Sequence, residues 1–320
     1  MCPSEFPPVP TDHGDHVSGD AAIPSSAGAP VQPRPSSVKL ALMALWAFAA
    51  VQILMAAGAF IGALLQSVFV HAAQVSQGIS DVQAEQMLTD TSPVIILAGQ
   101  LLALAVMLPW WRRRRSNGRV LLRARPVDGS VRLRRVAGIV CVGLALQMLV
   151  SMALNAVLPL FPLLSQEYTE AMEALVPNGF TLLSLVTVSL LAPLVEETVC
   201  RGLIFDYLLQ SCAASRQGTA PVDARIFWIA NTLQALGFAC LHGNIVQGVY
   251  AFLIGLVFGW IAWRCGGIGW SILAHFVVNV SSFAMDALGP MLLGPVAIPL
   301  TCLAAVLLVF GVSNVRATCD

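Results

Sequence analysis

The run Glu196-Glu197-Thr198-Val199-Cys200-Arg201 sets two carboxylates and a guanidinium inside an apolar stretch. Ionisable groups at membrane depth cost several kcal/mol and are rarely idle. On a helix Glu197 and Arg201 are four residues apart and share a face, so they can form an ion pair that neutralises two charges at once. Glu196 is left over, about 100° further round the helix, free to act as a general base. The plainer alternative is a helix end at the interface, with solvated carboxylates and an arginine reaching towards water. Pro193, just upstream, can bend the helix and free backbone groups near these residues.

Two further groups fall in the same half of the chain. Asn231, Gln234, Phe238 and His242 follow one another at steps of three, four and four, so one helix face carries all of them. A lone histidine on an apolar helix is more often a hydrogen-bonded structural residue, but the polar residues below His242 mark an inward-facing stripe. His275 and Asn279 are four apart and can reach one ligand atom, and Ser282 and Asp286 fall near that stripe. Packing of two helices through a His–Asn pair is the plainer alternative here.

Together these groups bring one free carboxylate, two imidazoles and an amide into a single bundle. That set suits peptide hydrolysis by an activated water: a carboxylate takes the proton, a histidine orients the water, and His or Asn donors stabilise the oxyanion. Glu196, His242 and His275 could instead hold Zn²⁺, which would acidify the water. The set lacks a compact ligand motif such as H-E-x-x-H, so catalysis without a tightly bound metal is the expectation. G-x-S-x-G is absent too, which leaves a serine nucleophile unsupported. The eight cysteines form no C-x-x-C pair and sit mostly in apolar runs, so they read as buried small residues, without a disulfide framework or zinc knuckle.

The elements that must position these residues are membrane helices. Hydrophobic residues make up 57% of the 320, and charged residues only 11%, against about 25% charged in a soluble domain. The fold class is therefore all-α, a polytopic membrane bundle of about eight transmembrane helices. Apolar stretches run over 39–70, 94–111, 136–161, 180 past Arg201 towards 209, 226–242, 245–263, 268–288 and 292–312. Three regions follow: a disordered tail at 1–37, N-terminal transmembrane helices with a basic loop at 38–175, and a transmembrane core at 176–312. The tail is polar and rich in Pro, Ser, Gly and Asp, and its His13 and His16 read as a solvated pair. No secretory signal peptide is expected.

Charge sets the orientation. Arg34 and Lys39, the ten arginines between Arg112 and Arg135, Arg216, Arg225, Arg264 and Arg316 all fall on one side when the helices alternate. The loops at 71–93 and 162–179 carry acidic residues and no Lys or Arg. By the positive-inside rule both termini are cytoplasmic. Net charge is zero, and the arginine run reads as a cytoplasmic stop signal beside anionic headgroups. No nucleic-acid partner is expected.

The three motifs, in order and spacing, resemble those of the CPBP (CAAX protease and bacteriocin-processing, or Abi) family of intramembrane endopeptidases. They are Glu196-Glu197-x-x-x-Arg201, Phe238-x-x-x-His242 and His275-x-x-x-Asn279. The words Ala192-Pro193-Leu194-Val195, Arg201-Gly202-Leu203-Ile204-Phe205 and Gly266-Gly267-Ile268 look like that family too, over roughly residues 180–285. The resemblance implies a helical membrane fold with a conical cavity open to lipid and cytoplasm. It implies Glu196 as general base, His242 positioning the water, His275 and Asn279 as the oxyanion hole, and Glu197 and Arg201 in support. The family is widely labelled a metalloprotease, while its eukaryotic CAAX prenyl endopeptidase is argued to work by glutamate alone. One departure is Cys200, where the family often has an aromatic residue; as a thiol nucleophile it has no histidine within four residues to activate it.

The expected activity is hydrolysis of a peptide bond in a membrane-associated peptide or protein, near the cytoplasmic face of a bacterial inner membrane. The expected partners are that substrate and the lipid bilayer. Two rival readings use the same residues. One is a non-catalytic immunity or partner-binding membrane protein. The other is a proton-coupled transporter, against which no inverted repeat is seen.

Overall fold

The computed structural model describes residues 36–122, 127–177, 179–215, 222–289 and 294–319. The tail at 1–37 and its histidines lie outside these residues up to position 35. Among the described residues all regular structure is helical, and eight helices are long and apolar enough to cross a membrane. In chain order the helical segments, short ones included, run as follows. α1 is Ser37–Gln77, α2 Asp81–Thr91, α3 Pro93–Ser116, α4 Gly129–Val157 and α5 Pro162–Leu175. α6 is the long span Leu182–Ala214. α7 is Ala224–Leu241, α8 Ile245–Arg264, α9 Ile268–Ala287 and α10 Ala297–Cys319.

Local signals fix several boundaries. Ser36 caps α1 by accepting from the Lys39 N–H, and Gly78 closes that helix at a φ of 63°. Asp223 accepts from the Ile226 N–H at the start of α7. Asn244 does the same for Gln247 at the start of α8, and Gly243 makes the turn between these two helices at a φ of 66°. The segments 71–93 and 162–179 are largely helical rather than loops. Ser80 and Gln83 form a reciprocal capping box that starts α2, and Pro162 stands in the first turn of α5. The last helix begins at Ala297 instead of 292 and runs to Cys319; residues 290–293 are not among those described.

Helix contacts are close where side chains are smallest, as expected when lipid removes the hydrophobic drive between helices. α1 meets α3 at Gly58 and Gly99, where a Cβ on Gly58 would stand 2.6 Å from the Gly99 Cα. α10 meets α4 at Gly311 and Gly138, and α9 meets α4 at Gly143. One arginine of the basic loop is tied down. Arg114 pairs with buried Asp206 of α6 at 2.6 Å and lies 3.7 Å over the Tyr207 ring. The Leu121 N–H and Gln210 complete the Asp206 carboxylate's hydrogen bonds.

The expectation of unpaired cysteines is corrected at one place. Cys265, at the C-terminal end of α8, is disulfide-bonded to Cys319 at the end of α10, with Cα atoms 4.8 Å apart. The two are 54 residues apart in sequence, so their meeting is a product of helix packing that spacing does not reveal. Arg135 of α4 braces the same corner by donating to the Thr318 carbonyl and lying 5.1 Å over the Trp270 ring. Among the described residues Cys141, Cys200, Cys212, Cys240 and Cys302 are free.

Gly58→Ala is expected to cost roughly 1–3 kcal/mol, the usual range for overpacking a tight contact, read as a lowered thermal midpoint in detergent. Gly129→Ala, whose Cβ would meet nothing within 4 Å, is expected to leave the midpoint unchanged.

Candidate active site

α6 is not a uniform α-helix. It is π-helical over Leu185–Leu191, α-helical over Ala192–Glu197 and π-helical again over Thr198–Phe205. Pro193 accounts for the first change. Its ring cannot donate and would clash with the carbonyl four residues back. The ladder has already widened there: the Ala192 N–H donates to Thr187 O, five residues earlier. Such wide turns leave backbone carbonyls available and often occur at functional sites. Two carbonyls of this segment do take side-chain donors from other helices. Thr187 O accepts from Gln100 of α3 at 3.1 Å, and Val188 O accepts from the Asn279 Nδ2 of α9 at 2.8 Å.

The α-helical turn presents the two glutamates differently. Glu197 is fully buried, while the Glu196 side chain is 24% exposed. Arg201, also fully buried, donates from Nη1 to Glu197 Oε1 at 2.7 Å and from Nη2 to the Gly255 carbonyl of α8 at 3.1 Å. Its guanidinium lies 4.4 Å from the Phe238 ring centroid and 5.4 Å from that of Phe258. The ion pair expected from the i, i+4 spacing is therefore present. It sits in a cage of rings that favours the cation without competing for its donors.

Glu197 has a second partner that spacing did not reveal. Its Oε1 also lies 3.0 Å from His275 Nδ1. A carboxylate only accepts, so Nδ1 carries the proton in this contact. That fixes the imidazole with Nε2 turned towards Glu196 Oε2, at 3.7 Å, a separation longer than a hydrogen bond. One face of the site is thus a line running Arg201, Glu197, His275, Glu196. Glu197 holds the ring much as a carboxylate holds the histidine in a hydrolase triad.

His242 is placed by a different contact. It caps the end of α7, and its Nδ1 lies 2.9 Å from the Phe238 carbonyl. That oxygen can only accept, so Nδ1 donates and Nε2 is left with the lone pair in the neutral ring. Phe238 is edge-to-face with both imidazoles, 4.9 Å from His242 and 5.6 Å from His275 between ring centroids. The two histidines therefore share an aromatic neighbour. Asn231 and Gln234, lower on the same stripe, bond instead to the Leu256 and Gly255 carbonyls of α8. They join helices rather than face the site. Cys200 is fully buried beside the line, as expected of a packing residue.

Glu196, His242 and His275 were the candidate zinc ligands. Among the described residues no three His, Cys, Asp or Glu side chains are grouped so as to hold a metal. His275 has turned one nitrogen to Glu197, and His242 has turned one to its own helix. In each ring Nε2 is left for a further partner, a water or a metal ion, with Nδ1 held as ligand histidines also hold it.

Gln100 was missed by the sequence reading. Its only signal was its standing as the lone amide in the second apolar stretch.

Fold and site together define a polytopic helical membrane protein with a carboxylate–imidazole centre built from α6, α7 and α9. Residues 178–281 match the family model described as type II CAAX prenyl endopeptidase Rce1-like, the CAAX protease family that the three motifs resemble. That matched segment contains Glu196, Glu197, Arg201, His242, His275 and Asn279. Comparison with curated proteins and with solved structures finds no match in either.

Arg201→Met should leave Glu197 as an uncompensated buried charge, at a cost of about 3–5 kcal/mol. The double variant Glu197→Gln with Arg201→Met should recover most of that loss. Thermal unfolding of the purified protein in detergent reads both; equal destabilisation of single and double variants would refute the pairing as the source of the cost.

Proposed function

We propose that the protein is an intramembrane endopeptidase that hydrolyses a peptide bond of a membrane-associated substrate, with Glu196 as the general base. The observation that carries the reading is the division of labour between adjacent carboxylates. Glu197 is engaged by Arg201 and His275, while Glu196 keeps a partly exposed side chain with one oxygen facing His275 Nε2. The match to the type II CAAX prenyl endopeptidase family supports peptide hydrolysis as the chemistry.

In this reading a water bound to Glu196 gives up a proton to the carboxylate as its oxygen bonds to the substrate carbonyl carbon. The developing oxyanion is stabilised from the α9 stripe by the second amide proton of Asn279 and by His275 in its doubly protonated form, with Nδ1–H on Glu197 and Nε2–H on the oxyanion. The proton held by Glu196 then passes to the departing amide nitrogen as the C–N bond breaks. His242, with its Nε2 left unbonded by the contact to Phe238, helps orient the water. Glu197 and Arg201 are positioning residues, since they act through His275. No step is routed through a metal.

Cleavage near the cytoplasmic face is the proposed side, with the basic ends of the helices in the cytoplasm. The bacterial inner membrane remains the proposed location.

Mass spectrometry of membrane peptides from cells with wild type or Glu196→Ala, followed by cleavage of the differing peptides by purified protein, tests the reading. Cleavage should fall by roughly 10²–10⁴-fold in Glu196→Ala, the usual share of a general base. Undiminished cleavage would remove Glu196 from the mechanism. A cellular phenotype unaffected by both Glu196→Gln and His275→Ala would favour a non-catalytic partner-binding role.

A further inference from the structure

Gln100 stands outside the segment that matches the protease family and has no part in the chemistry above. It is buried at 5% exposure in the middle of α3, between residues that are apolar for several positions on either side. Its Nε2 donates to Thr187 O, while its Oε1 has no hydrogen-bond partner. A buried acceptor left unpaired costs stability, and an apolar side chain of the same shape would avoid that cost. Packing alone does not account for an amide here.

The carbonyl that Gln100 holds belongs to the wide turn that also holds Asn279. Thr187 O takes both the Gln100 amide and the Ala192 N–H. The next carbonyl, Val188 O, takes Asn279 Nδ2. One amide thus fixes the turn from α3, and the adjacent carbonyl fixes the site amide on α9. With one Asn279 proton committed to Val188 O, the direction of the other is set by where that carbonyl sits.

We propose that Gln100 is a positioning residue for the reaction, aligning the Asn279 amide through the Thr187–Val188 backbone. The proposal rests on the peptidase reading for its kinetic consequence, though the contact itself can be tested without substrate.

Gln100→Met keeps length and apolar volume and removes the donor; Gln100→Leu serves if the first variant folds poorly. Hydrogen exchange of the detergent-solubilised protein should speed up in the backbone amides of 189–192 and of 276–283, with the remaining spans unaltered. On a cleaved peptide, kcat should fall roughly tenfold, less than the roughly 10²–10³-fold that accompanies loss of an oxyanion donor, while KM changes little. The same substitution in an Asn279→Ala background should cause no further loss of kcat, because Gln100 acts through Asn279. A purely structural role would instead lower the folded fraction and multiply the Asn279→Ala defect. Unaltered exchange at 189–192, or a full multiplicative loss in the double variant, overturns the proposal. Failure of the wild-type protein to cleave any peptide would count against the peptidase reading alone, and the exchange measurement would still decide the positioning role.

Discussion

The ion pair between Glu197 and Arg201 is the constraint around which the site half of the molecule is built. Two opposite charges in a dry interior are tolerable only when every available partner is close and well aimed. Arg201 meets that demand with Glu197, the Gly255 carbonyl and the faces of Phe238 and Phe258. Those partners come from three different helices, so satisfying the guanidinium draws α6, α7 and α8 to one point. Glu197 then has an oxygen already fixed in space, and His275 uses it. The fourth helix of the site, α9, is oriented by the same charge that solves the burial problem.

A second consequence concerns the neighbouring carboxylates. Adjacent glutamates on a regular helix differ only in direction, yet here they differ in kind. One is enclosed and neutralised by its partner, and the other is partly exposed. Burial and pairing give the two acids different surroundings without any change of residue type, a pattern familiar from hydrolases with two carboxylates.

The sequence showed the helical membrane class directly, because few charges and long apolar runs leave no other solution. It also showed the Glu197–Arg201 contact, since an i, i+4 relation lies within one helix. Relations between helices were less accessible. The second partner of Glu197 is 78 residues away, and the Cys265–Cys319 bond joins ends that no local pattern connects. The polar stripe of α7 was legible as a face but not as two roles, with Asn231 and Gln234 serving the α8 contact and only its upper end reaching the site. The helices inside the acidic loops escaped notice because short amphipathic turns depend on capping side chains rather than apolar length.

The two wide turns of α6 bear on what changes of length this helix can absorb. A π turn is equivalent to an extra residue slipped into an α-helical path, so each such segment sets the rotational phase of everything after it. Removing one residue between 185 and 191 would do more than shorten the span. It would swing the Glu196 and Glu197 directions round the axis, separating the buried acid from His275 while leaving hydropathy and predicted topology untouched. Substitutions in this segment and single-residue deletions should therefore obey quite different rules. Alignments of related chains that place gaps here would be misassigning the geometry of the site.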